Sequence, residues 1–325
     1  MTTSTSGATV SMRHFATLRP PHPTDVLISA DVGPGGEALA IWASTDDAPQ
    51  LGWLNRHHGT SPQVPMLDEP VLVRLTRHQP NGNVRSLGPM RINVRNPHVQ
   101  PLPGDRYLVV GARCRYNKGN PDRNATVFSA QGRPLLTATV GDGVQDVQAT
   151  SSGRLYVSYF DEGVYGSHGW GWPDPPIGSS GLVQFDDQLR PKWQFRSAND
   201  AIRIDDCYAL NVSGTEVWVY PYDQFPILRL RFGSMSVWTN EVTGAHALIT
   251  DGTRCALVGG YSLPDRISIG RFRAGRFTLS RTSSITLGER PIPASVLRQA
   301  GRGGTLHLIT TEGEWWQLRL SDLSE

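Results

Sequence analysis

Apolar residues in this chain come in short runs of four to eight, rich in Val, Leu, Trp and Tyr and closed by Gly, Pro, Asn or Asp. That pattern predicts many short β-strands. No stretch sustains the 3.6-residue period that a substantial helix needs. The runs recur in a fixed order: a strand, a glycine turn, then a second and more apolar strand. The first copy is residues 25–29, a turn at Gly35-Gly36 and residues 38–41. Later copies pair residues 98–102 with 107–110, 146–150 with 155–160, 206–210 with 217–220, 246–249 with 255–258 and 295–297 with 306–309. Their turns fall at Gly104, Gly153, Gly214, Gly252 and Gly303-Gly304.

A third strand usually follows, clearest at residues 125–128 and 181–185, and a fourth at residues 190–195. A four-stranded antiparallel unit repeated without helices predicts an all-β fold, and six copies predict a six-bladed β-propeller. From turn glycine to turn glycine the steps are 68, 49, 61, 38 and 51 residues, so the copies differ in loop length and share one plan. The last copy, residues 292–320, holds only three strands. Residues 12–18 precede the first copy and are predicted to supply the missing outer strand, which removes an open edge. Closure of that kind makes residues 1–325 a single domain, with residues 1–11 as a flexible tail.

The repeat lacks the Gly-His and Trp-Asp pairs of WD40 units, and a kelch-like glycine pair occurs once, at Gly259-Gly260. Residues 159–166 (YFDEGVYG), 176–183 (PIGSSGLV) and 204–212 (IDDCYALNV) are more specific. They are similar to segments of a family of bacterial β-propeller proteins that share this architecture. The resemblance spans about 65 residues and implies fold, not activity.

Composition narrows the function classes. The net charge is +2 and no block of like charge exists, so neither nucleic acid nor a membrane surface is implied as a partner. Of 31 basic residues only Lys118 and Lys192 are lysine; the 29 arginines are scattered, as codon preference would leave them. No secretory signal opens the chain, no apolar window reaches the length of a membrane helix, and Cys114, Cys207 and Cys255 match no metal or disulfide spacing. A cytoplasmic protein with buried free thiols is the expectation. In that compartment the sequons at Asn124 and Asn211 carry no meaning.

Candidate chemistry collects at one end of the repeat. In a propeller blade the first strand begins and the second strand ends on the same face. The long insertions, residues 43–69, 113–124 and 161–180, all follow second strands, whereas the opposite connections are tight turns. Loops on one side of a rigid scaffold are where propellers bind. Asp146 and Asp206 at the starts of first strands, with Asp161 and Asp223 at the ends of second strands, map to that face, and Glu162 and Asp205 adjoin them. Three readings stand. Four converging carboxylates would hold a hard cation such as calcium. A pair of them would act as general acid and base, with Asp161, Glu162, His168 and Asp206 as candidate catalytic residues. Or each caps a turn or pairs with an arginine such as Arg203.

His98, Gln148, Tyr208 and His246 share a register position near the start of the first strand. In the segment 167–176 (SHGWGWPDPP), Trp170 and Trp172 cannot both be strand core. They either stack on a sugar, base or peptide aromatic or cage a cation, or they plug the channel. Arg113, Tyr222 and Asp223 complete the candidate ligand-binding set with Asp146, Trp170, Trp172, Asp205, Tyr208 and His246. Residues 55–59, with His57 and His58, lie on another such loop. No nucleophile elbow, phosphate loop or zinc spacing is present. Two functions fit: a propeller binding a small molecule, peptide or protein on its loop-bearing face, or a cation-dependent hydrolase or lyase.

Overall fold

The computed structural model describes residues 9–52, 66–197, 202–231 and 233–323. The chain is nearly all β and divides into two compact units. The first comprises residues 18–207 and 311–313; the second comprises residues 1–17, 208–310 and 314–325.

Three antiparallel sheets follow one another in the first unit. Strands Asp25–Val32, Ala38–Ser44 and Met66–His78 open the first sheet, and Val84–Ser86 and Met90–Val94 both pair with the long third strand. Pro97–Leu102, Arg106–Gly111, Ala125–Ser129 and Pro134–Ala138 make the second sheet in sequence order. Val144–Ala149, Leu155–Tyr159, Leu182–Phe185 and Pro191–Gln194 make the third. The second strands are the apolar runs of the repeat, and they are buried on both faces: Tyr107, Leu108, Val109 and Val110 are each at most 1% exposed. Outer strands meet water, as all four residues of Pro191–Gln194 do. Burial on both faces explains why the second strands read as unbroken apolar runs and the outer ones do not.

The turns obey local sterics. The six turn glycines, Gly36, Gly104, Gly153, Gly214, Gly252 and Gly303, all have positive φ between 54° and 88°. Only glycine enters that region without cost to a Cβ, so the glycine spacing reports the strand spacing. Buried amides then tie neighbouring sheets. The Gln100 carbonyl accepts from the Ala149 N–H at 2.9 Å, and Asn124 donates to the carbonyls of Gly111 and Gly141 at 2.9 and 2.8 Å. In the second unit Asn211 donates to the carbonyls of Leu248 and Gly303, both at 2.8 Å. Both sequon asparagines are fully buried and engaged in this way.

In the second unit, Cys207–Ser213, Glu216–Pro221, Ile227–Arg231 and Ser234–Trp238 form a four-stranded sheet in sequence order. Ala247–Thr250, Arg254–Val258, Arg266–Arg273 and Arg276–Leu287 come next, followed by Val296–Arg302, Thr305–Thr310 and Glu314–Arg319. The strand Thr9–Thr17 joins these last two groups into one sheet. Its second half pairs antiparallel with Glu314–Arg319, the pairing expected for residues 12–18. Its first half pairs parallel with Arg276–Leu287, Thr9 opposite Ser284 and Met12 opposite Leu287. Residues 9–11, expected to belong to the tail, are strand, held by that parallel ladder.

Cys114, Cys207 and Cys255 are buried free thiols, as expected. No helix among the described residues is long and apolar enough to cross a membrane.

Candidate functional site

In the first unit, the connection after Arg106–Gly111 carries a small hairpin, Tyr116–Asn117 with Asn120–Pro121. The connection after Leu155–Tyr159 carries a short helix, Asp161–Tyr165, and then the tryptophan segment. The two meet: the Tyr116 N–H donates to the His168 carbonyl at 2.8 Å. Residues 53–65, including the His57-His58 pair, lie outside the described residues.

Arg113 sits at the meeting point with its side chain 7% exposed. One guanidinium nitrogen, Nη2, lies 3.0 Å from Asp142 Oδ2, 2.5 Å from Glu162 Oε2, 3.2 Å from Ser167 Oγ and 2.5 Å from His168 Nδ1. The Phe160 ring lies 5.3 Å from the guanidinium carbon. Asp142 is fully buried, and its other oxygen accepts the Cys114 N–H at 2.7 Å. Asp142 escaped the sequence reading because its partner lies 29 residues away across two loops. Hydrogen bonding to Arg113 holds the Glu162 carboxyl below the usual carboxylate range.

Two groups of three described donors have ligand atoms within 4.8 Å of one another and could hold a metal ion: Asp142, Glu162 and His168, and Asp31, His98 and Asp146. Neither is the expected set of Asp146, Asp161, Asp206 and Asp223, although the second shares Asp146. In the first group Arg113 already contacts a ligand-type atom of each of the three residues, so a guanidinium takes the place of a cation there. The second group draws on the first strands of three successive sheets. Its imidazole-plus-carboxylate chemistry suits a borderline transition metal better than calcium, which prefers six to eight oxygens.

Asp161 and Asp206 do come near each other. The Asp161 carboxylate accepts the Glu162 N–H at 2.7 Å. Burial, and then the Asp161 charge, raise the Asp206 carboxyl from 3.8 to about 6. Asp205 pairs with Arg203 at 3.2 Å. Because the folded value of Asp206 lies above its unfolded one, the folded protein holds an extra proton between those two pH values. Stability therefore falls as pH rises from about 4 to about 6. Asp206→Asn is expected to abolish that slope and raise the melting temperature at pH 8. Thermal melts from pH 4 to 8 test this, and parallel curves for the two proteins would refute it.

The tryptophans divide. Trp170 donates to the Cys114 carbonyl at 2.8 Å and its ring lies 4.6 Å from that of Tyr116. Gly169 allows the contact: its φ is 92°, and a Cβ there would strike the Tyr116 carbonyl. Trp172, two residues on, is 99% exposed. Trp170 thus has the structural role and Trp172 is the presented ring.

Tyr208, Tyr222, Asp223 and His246 belong to the second unit. Tyr208 and Tyr222 stack with centroids 5.8 Å apart, and Tyr261, which the sequence reading passed over, joins them at 6.3 Å from Tyr208. Tyr261 follows its second strand much as Tyr222 does, and that shared register was the available signal. His246 is held below its usual range by burial.

Neither a protein-family model nor a curated protein matches the sequence. Among solved structures the chain is similar to U3-55K at 11% identity and a TM-score of 0.49, over 94% of this chain and 80% of that one. It is similar to a streptogramin B lyase at 9% identity and 0.47, over 94% and 96%. It is also similar to BamB from Moraxella catarrhalis at 10% identity and 0.42, over 97% and 99%. Likeness at this level says nothing about activity.

Proposed function

We propose that the chain is one six-bladed β-propeller, closed by the strand Thr9–Thr17, that binds a small molecule, peptide or protein through the loops after its second strands. The succession of four-stranded meanders supports the architecture. The observation that carries the function is Trp172. An indole left in water forgoes on the order of 2 kcal/mol of burial, yet this one stands on a loop that Trp170 and His168 tie down. An exposed aromatic presented on an anchored loop is the chemistry of a binding anchor.

Trp172→Ala is expected to leave the melting curve unchanged, within about 0.5 kcal/mol, while removing the contacts made by wild-type protein on immobilised peptide arrays. Trp170→Ala, by contrast, should cost about 2–3 kcal/mol. Array contacts that survive in Trp172→Ala would reject Trp172 as the anchor.

The Asp206 carboxyl, raised to about 6 by burial and by the Asp161 charge, favours a second reading, a cation-dependent hydrolase or lyase. In it Asp206 would carry the proton and Asp31, His98 and Asp146 would hold the cation, which polarises a carbonyl or activates water when bound. Stoichiometric metal in the purified protein and a chelator-sensitive melt would favour this reading; a metal-free protein indifferent to chelator would reject it.

A further inference from the structure

We infer that Tyr208, Tyr222 and Tyr261, in the second unit, form a platform for the ring face of a neutral pyranose saccharide, built from residues other than Arg113 and Trp172.

The platform is built on Phe225. That side chain is 8% exposed, and its ring lies 5.6 Å from Tyr208, 5.6 Å from Tyr222 and 6.2 Å from Tyr261. Beneath it Tyr220 stacks at 5.4 Å, fully buried, with its hydroxyl donating to the Val242 carbonyl at 2.6 Å. The chain strains to hold Phe225 there. Asp223, Gln224 and Phe225 are three consecutive non-glycine residues in the left-handed region, with φ of 67°, 58° and 48°. Non-glycine residues rarely adopt that region, and strain of this kind gathers at binding sites. The turn tucks Phe225 inward and leaves Tyr222, Asp223 and Gln224 exposed. Tyr222 is 46% exposed and Tyr261 66%, so two large rings remain in water on a fixed base.

Ring spacing decides what the platform takes. A cation held between two aromatic faces needs about 4 Å from each, on the order of 8 Å between centroids. Tyr208 and Tyr222 stack at 5.8 Å with 27° between their planes, which leaves no gap between those two rings for a methylammonium group; the corner that Tyr261 makes with Tyr208, at 81°, is tested by a trimethyllysine peptide. An anion is disfavoured by Asp223 on the same turn and by the negative ring faces, while the neighbouring Arg266 guanidinium is engaged by the carbonyls of Gly259 and Thr243. What remains is an uncharged ligand with an apolar face and polar edges. A pyranose matches: its C–H face lies on the tyrosines, and its hydroxyls meet Asp223, Gln224 and the phenols at the rim. A purely apolar peptide would cover the rings but leave that carboxylate and carboxamide unused.

The experiment is calorimetric titration of the full-length protein with four probes: maltotetraose, cellotetraose, chitotetraose and a trimethyllysine peptide. At least one neutral tetrasaccharide is expected to bind. Tyr222→Ala and Tyr261→Ala should each weaken it by about tenfold, the effect of losing one anchoring contact. Tyr261→Phe should keep most of the affinity because it keeps the ring, and Asp223→Asn should lose part of it. Trp172→Ala should change nothing, so failure here and failure of the Trp172 anchor are told apart. The inference is overturned if no neutral tetrasaccharide binds at millimolar concentration. It is overturned equally if binding ignores the tyrosine substitutions, or if the trimethyllysine peptide binds in their place.

Discussion

Removing residues 1–17 is expected to abolish the cooperative melt of the second unit, or to lower its midpoint by about 10 °C or more. The strand Thr9–Thr17 serves two partners at once. Met12 is 1% exposed, Phe15 and Trp315 meet edge to face at 4.6 Å, and His14 and Trp316 do so at 5.1 Å. Burial of Met12 contributes about 2 kcal/mol, and each ring contact about 0.5–1.5 kcal/mol. The ladder hydrogen bonds to two strands add about 1 kcal/mol apiece. Their sum rivals the 5–15 kcal/mol that holds an ordinary domain together. Deletion also bares the edge of Glu314–Arg319, so the truncated chain should aggregate on heating. Differential scanning calorimetry decides the matter. A truncated protein that melts within a degree or two of the full chain would show that this strand closes nothing.

Arg113→Met is expected to cost about 3–5 kcal/mol, because it leaves the fully buried Asp142 carboxylate without its guanidinium. Asp142→Asn added to Arg113→Met should restore a good part of that loss, since the uncompensated charge is then gone. Urea unfolding of the two single variants and the double variant measures the coupling. Simple additivity would mean that the pair is not coupled.

Acid unfolding gives a second readout of Arg113. Glu162 is held below its unfolded value of 4.5, so its ion pair stabilises above that pH and is lost as pH falls through the folded value. In Arg113→Met the slope below about pH 4.5 should be shallower. The effect is a fraction of a kcal/mol, because the Glu162 side chain is half exposed.

Local sterics made much of this molecule readable in one dimension. A glycine at positive φ between two apolar runs marks a tight turn, so the spacing of six such glycines located the paired strands before any coordinates did. The strand after each turn is buried on both faces, which demands an unbroken apolar run whatever lies around it. The unpaired run at residues 12–18 found its antiparallel partner for a similar reason: an open sheet edge and a lone strand are each unfavourable alone.

Tertiary structure decided everything that depends on a partner distant in sequence. Thr9–Met12 gained a parallel partner only because Arg276–Leu287 runs on past its own hairpin. Trp170 and Trp172 are equivalent in composition, and the Cys114 carbonyl and the Tyr116 ring chose between them. The acidic residues that share a register in sequence were sorted by burial: Asp146 beside Asp31 and His98, and Asp161 beside Asp206. The residue that organises the loop cluster, Asp142, showed no signal of its own, because a buried charge is defined by the cation that faces it. Sequence thus determined where strands begin and turn, since those are local energies, while charge pairing and ring exposure waited on the fold that brought the loops together.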